Sequence, residues 1–131
     1  MGRGYCRRHA GEQDCTCSMG NMNRFIEPAL LLSLSKGGER HGYDLSSELN
    51  KWQVTDALVD KAAVYRTLRS LEIDGMVESK WDIGESGPPR HIYSITPEGR
   101  LLLRRWEQVL RDLGNSLLDM AGQIGEIKDL P

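Results

Sequence analysis

Leu103, Trp106, Leu110, Leu113, Leu117, Met120 and Ile124 recur at spacings of 3, 4, 3, 4, 3 and 4. No other feature of the chain constrains its fold as tightly. That alternation lays an apolar seam along one side of a single helix for about three heptads. Such a seam either packs on the helix's own domain, as any amphipathic helix does, or meets a second helix. Leu101 and Leu102 at the head of the same segment are expected to face its own domain, which leaves the seam for a partner. The helix is predicted to begin at Thr96-Pro97-Glu98 and to run to about Gln123. Threonine caps the first turn, proline fits inside it, and the acid meets the positive end of the helix dipole.

The elements before it follow from periodicity and punctuation. Arg24–Ser35 turns strongly apolar, tolerates Pro28 in a first turn, and ends at Gly37-Gly38. From Tyr43 to Trp52, Leu45, Leu49 and Trp52 fall at i, i+4 and i+7, one face of a second helix. Residues 53–59 form a connection. Asp60 caps a third helix that runs to Asp74 and stops at Gly75, with Val64, Leu68 and Leu71 as its buried stripe. The period then switches to two. Val77, Ser79, Trp81 and Ile83 share one face of a strand, and Glu78, Lys80 and Asp82 share the other. Gly84–Pro89 is turn chemistry and Arg90–Ile95 returns as a second strand.

Three helices, a two-stranded hairpin and a long helix are the order of a winged helix-turn-helix. The predicted fold is mainly α with a small β-hairpin wing (α+β), followed by a long C-terminal dimerisation helix. The expected organisation is a Cys/His-containing arm over 1–23, a winged helix-turn-helix domain over 24–96, and a dimerisation helix and tail over 97–131.

Charge argues against easy conclusions. Of 131 residues, 17 are Lys or Arg and 19 are Asp or Glu, a net charge of −2 that does not advertise nucleic-acid binding. Basic and acidic residues also mix throughout: four against three over 1–35, eight against ten over 36–95, five against six over 96–131. A DNA-binding surface must therefore be a local stripe. On the third helix, the stripe leaves Lys61, Tyr65, Arg66, Thr67, Arg69 and Ser70 outside. Arg66 and Arg69 stand three apart, so they project to one side. An arginine fork holds a phosphate, or guanine O6 and N7, with two bonds. Lys80, Arg90 and His91 of the hairpin flank its Gly/Pro turn, within reach of adjacent phosphates.

The residues carry a further signal. His41-Gly42-Tyr43, the run Val64–Glu78 (VYRTLRSLEIDGMVE), Trp81, and Arg90–Gly99 (RHIYSITPEG) occur together and in order. Over residues 24–115 the chain resembles the PadR family of bacterial transcriptional regulators, in its shorter form with a single C-terminal helix. The resemblance implies a homodimeric repressor, a palindromic double-stranded DNA operator, and release by a small effector. The chain's own residues suit a small aromatic or hydrophobic effector, or a metal or redox signal at the arm. One departure stands out: the family commonly has a glycine and a hydroxyl residue before Val64-Tyr65, where this chain has Ala62-Ala63. The N-terminal phosphate contact loses a hydroxyl there.

Trp106 has two readings, a heptad core residue or one wall of an effector slot. Tyr43 and Trp52 are expected in the core, and His41 in a structural or capping role. No Gly-rich phosphate loop, nucleophile elbow or HExxH-type ligand pair is present, so an enzyme is not expected. The alternative function is a winged helix used as a protein-interaction module without DNA binding. No apolar run approaches a membrane span and no export signal is evident, so a reducing cytoplasm is the expected compartment. The arm holds all three cysteines, and Cys6, His9, Cys15 and Cys17 form C-x2-H-x5-C-x-C. Three thiolates and an imidazole complete a four-coordinate set for zinc or another soft metal. Arg7 and Arg8 favour the Cys6 thiolate electrostatically, so a redox role is equally open. The plain reading is a tail with incidental cysteines.

Overall fold

A computed structural model describes residues 23–51, 60–84 and 87–131. Cys6, His9, Cys15, Cys17, Trp52 and the connection over 53–59 lie outside the described residues. A 3-10 turn, Asn23–Phe25, leads into helix α1, Ile26–Gly37. Strand β1 is Arg40–His41, helix α2 Gly42–Leu49 and helix α3 Lys61–Ile73. Strands β2, Val77–Asp82, and β3, Arg90–Ile95, precede helix α4, Pro97–Gly125.

Local chemistry sets the boundaries. Gly38 takes φ 71°, a left-handed conformation that carries no Cβ penalty for glycine, and its N–H closes the α1 end on the Leu34 carbonyl at 3.1 Å. The Asp60 carboxylate accepts the Ala62 N–H at 3.1 Å and starts α3. Leu30, Leu31 and Leu34 of α1, Leu45 and Leu49 of α2, and Val64, Leu68 and Leu71 of α3 are buried together. Val77 and Tyr93 close this core from the sheet.

The expected hairpin is present as β2 and β3, and a third strand joins it. The sheet has three antiparallel strands in the order β1-β3-β2, with Arg40 opposite Tyr93 and His41 opposite Ile92. A two-residue strand is too short to show a period of two, so its signal is invisible in sequence. The β2 alternation holds in register, but only Val77 is buried; Trp81 is 61% exposed and the strand stops at Asp82, before Ile83. Beyond Ser79 the hairpin extends past the core that would cover that face.

The head of α4 is knotted to the start of β2. The Thr96 hydroxyl donates to the Gly75 carbonyl at 2.7 Å and accepts the Gly99 N–H at 3.0 Å, while the Thr96 N–H donates to the Met76 carbonyl at 3.1 Å. Gly99 allows that approach: a Cβ there would lie 2.1 Å from the Met76 carbonyl oxygen. From this anchor Leu102, Leu103 and Trp106 pack on the core. Leu101 does not. It is 69% exposed, because a step of 100° per residue puts it opposite the face shared by Gly99, Leu102, Leu103 and Trp106.

The seam is therefore divided. Leu103 and Trp106 serve this domain, whereas Leu110, Leu117, Met120 and Ile124 stand exposed on the helix beyond it and Leu113 is half-buried. No helix among the described residues is long and apolar enough to cross a membrane.

Candidate nucleic-acid interface

The outer surface of α3 follows from its inner one. With Ala63, Val64, Leu68 and Leu71 buried, Lys61, Arg66 and Arg69 are exposed and Tyr65 is half-open to solvent at its flank. No ion pair within the described residues holds either arginine. Thr67 sits apart from them: it is half-buried and its hydroxyl donates to the Ala63 carbonyl at 2.8 Å, one turn back along the helix.

Tyr43 corrects the sequence reading. It was expected in the core, yet it is 65% exposed, with the Lys61 ammonium 4.8 Å from its ring centroid. The inner face of α2 is Gly42, Leu45, Ser46 and Leu49, spaced i, i+3, i+4, i+7, and Tyr43 falls one step outside it. Counting back from Leu49 finds this in the sequence. His41 occupies the α2 cap position with extended backbone, but its side chain makes no capping bond. His41, Gly42, Tyr43, Asp44 and Tyr65 join Arg90 and His91 around a trough of about 510 Å³ between the α2 N-terminus, α3 and the wing, with Asp44 the one acidic group in its lining. Helix N-terminal amides, tyrosine hydroxyls and an arginine are the groups that hold phosphate oxygens.

The wing residues divide. Arg90 is exposed, opposite Asp82 in the strand register. Lys80 is exposed and its ammonium lies 3.1 Å from Glu39. His91 instead faces inward: its ring stacks on Trp81 at 4.3 Å and 8°, and its nitrogens meet the Ser79 hydroxyl at 3.2 Å and the Tyr93 hydroxyl at 3.3 Å. Burial, helped by the charge of Glu72 and by Tyr65, holds the Tyr93 phenol above its ordinary pKa, so it stays a proton donor.

At the flank of α3 lies Trp106. Its indole N–H donates to a Glu27 carboxylate oxygen at 2.6 Å, and it lines a cavity of about 340 Å³ with Arg24, Arg66 and Ser70. On its other side an apolar groove of about 700 Å³ runs between α1 and α4, bordered by Leu32, Leu110, Leu113 and Leu117. Among the described residues no group of three His, Cys, Asp or Glu side chains could hold a metal ion.

A three-helix core, an antiparallel wing and two free arginines on the third helix define a winged-helix DNA-binding protein. Comparison with known proteins makes this specific. Residues 30–105 match the model of the transcriptional regulator PadR-like family, and the chain belongs to that family. Its members are transcriptional regulators, not enzymes. A conserved protein described as a potential transcriptional factor is 29% identical with a TM-score of 0.68, over 81% of this chain and 92% of its own. A PadR-like regulator from Bacillus cereus is 25% identical with a TM-score of 0.64, over 76% and 94%. PadR of Bacillus subtilis, solved in complex with operator DNA, is 26% identical with a TM-score of 0.54, over 63% of this chain and 46% of its own. No curated protein matches the sequence.

Proposed function

We propose that this chain is a cytoplasmic, homodimeric repressor that binds a two-fold symmetric operator and is released by a small planar apolar effector beside Trp106. One observation carries the dimer. The exposed half of the seam, Leu110 to Ile124, is continuous with the apolar groove between α1 and α4, so a second copy of α4 covers both at once. A dimer then presents two copies of α3 related by a two-fold axis. Trp106 stands between the groove and the cavity that contains Arg66, which supports it as the point where an effector is felt. Lys61, Tyr65, Arg66, Arg69, Lys80 and Arg90, exposed on α3 and the wing, are the DNA-facing set in this reading. The solved operator complex of the Bacillus subtilis relative supports it at the level of the partner alone.

Selection of duplexes from a randomised library by the protein tests this reading. The recovered sites are expected to contain two inverted half-sites about one helical turn, ~34–36 Å, apart. Affinity for them should fall steeply as salt rises, through counterion release. Recovery of unenriched DNA with flat salt dependence would favour a protein-interaction module instead.

We further propose that the arm binds zinc or a similar soft metal through Cys6, His9, Cys15 and Cys17. All three cysteines and one of three histidines fall within residues 6–17, a grouping that a plain tail does not need. Protein purified under reducing conditions is expected to carry about one equivalent of metal per chain, lost in a Cys15→Ser/Cys17→Ser variant. Metal content equal in the two proteins would leave the arm as a tail.

A further inference from the structure

The wing is joined to the recognition helix by a directional line of hydrogen bonds. The Ser79 hydroxyl lies 2.7 and 2.8 Å from the two carboxylate oxygens of Glu72, and 3.2 Å from His91 Nε2. A hydroxyl has one proton, and a carboxylate only accepts, so Ser79 donates to Glu72. The contact with His91 must then run the other way, from Nε2–H to the serine oxygen. In the neutral ring Nδ1 then carries the lone pair, which takes the Tyr93 O–H at 3.3 Å. The order is Tyr93, His91, Ser79, Glu72: from the core, across both wing strands, to α3. Trp81 covers the middle of this line by stacking on His91.

We infer that Ser79 and His91 are positioning residues, which set the wing against α3 so that Lys80 and Arg90 reach the DNA backbone in step with Arg66 and Arg69. The inference deepens the DNA-binding reading and rests on it. Successive strand residues point to opposite faces, so tying Ser79 and His91 inward fixes where their neighbours Lys80 and Arg90 stand. His91 thereby acts through the strand and not by touching phosphate, since both its nitrogens are already engaged.

The test uses the full chain and a duplex selected by the wild-type protein, with affinity measured across a range of salt. Lys80→Ala/Arg90→Ala is the reference, and should lower the slope of log affinity against log salt by about 2. Ser79→Ala is expected to lower the slope in the same way, to add nothing in the reference background, and to be rescued by Ser79→Thr. His91→Phe keeps the ring on Trp81 but cuts the line, and should behave like Ser79→Ala; it carries the test should Ser79→Ala fail to fold. A wild-type slope in folded Ser79→Ala or His91→Phe would overturn the inference, as would a loss that adds in full to the reference. A wild-type protein whose binding ignores salt would overturn the DNA-binding reading itself, a result separable from any behaviour of the variants.

Discussion

Replacing Leu110 and Leu117 by aspartate is expected to yield a folded monomer of 14.8 kDa that no longer binds operator DNA specifically. Both leucines lie beyond the part of α4 that packs on its own domain, and they are 40% and 54% exposed in the single chain. The substitution therefore costs the fold little. In a two-fold dimer each position occurs twice, and each leucine contributes roughly 1.5–3 kcal/mol when its surface is fully covered. Four carboxylates on the covered face would add a desolvation cost that nothing there offsets. Specific binding falls with the dimer, because one α3 reads only half of a symmetric site. Light scattering measures the mass directly: wild-type protein at twice 14.8 kDa and the variant at 14.8 kDa. A monomeric wild type would remove the dimer from the mechanism.

Arg66→Ala and Arg69→Ala should each weaken operator binding by about 1–3 kcal/mol while leaving thermal unfolding unchanged. Both guanidiniums stand outside the Val64, Leu68 and Leu71 stripe, so the core does not register their loss. The pattern of weakening separates their roles. An arginine reading guanine loses discrimination at one base pair, whereas one on a phosphate weakens all duplexes equally and lowers the salt slope by about 1. Arg66 also borders, with Glu27 and Trp106, the cavity at the flank of α3. Titration of the two variants against the selected duplex and single-base changes of it measures both quantities. Wild-type affinity in both would mean that α3 is not the recognition helix.

The sequence by itself determined the elements of the domain. Asp60 and Thr96 mark helix starts by their capping oxygens, Gly38 and Gly75 mark ends by their positive φ, and a change of period at Val77 marks the wing. These signals are local, carried by residues within a turn or two of one another, and so survive without knowledge of the fold. The arginine pair of α3 was legible for the same reason, since its position follows from the stripe on its own helix.

What only the tertiary structure decided is which apolar and polar faces meet. Every seam position has the same heptad pattern, yet Leu103 and Trp106 pack on the core, while Leu110, Leu113 and Leu117 border an open groove against α1, and Met120 and Ile124 stand exposed. Leu101 faces out, since the Gly99 contact with Met76 sets the rotation of the whole helix. β1 exists because Arg40 and His41 happen to lie beside β3, a pairing across fifty residues of chain that no local period announces. In the sequence His91 reads as a wing residue within reach of phosphates. Its stack on Trp81 and its bonds to Ser79 and Tyr93 depend on strand register and on the distance to α3, and those are properties of the assembled fold.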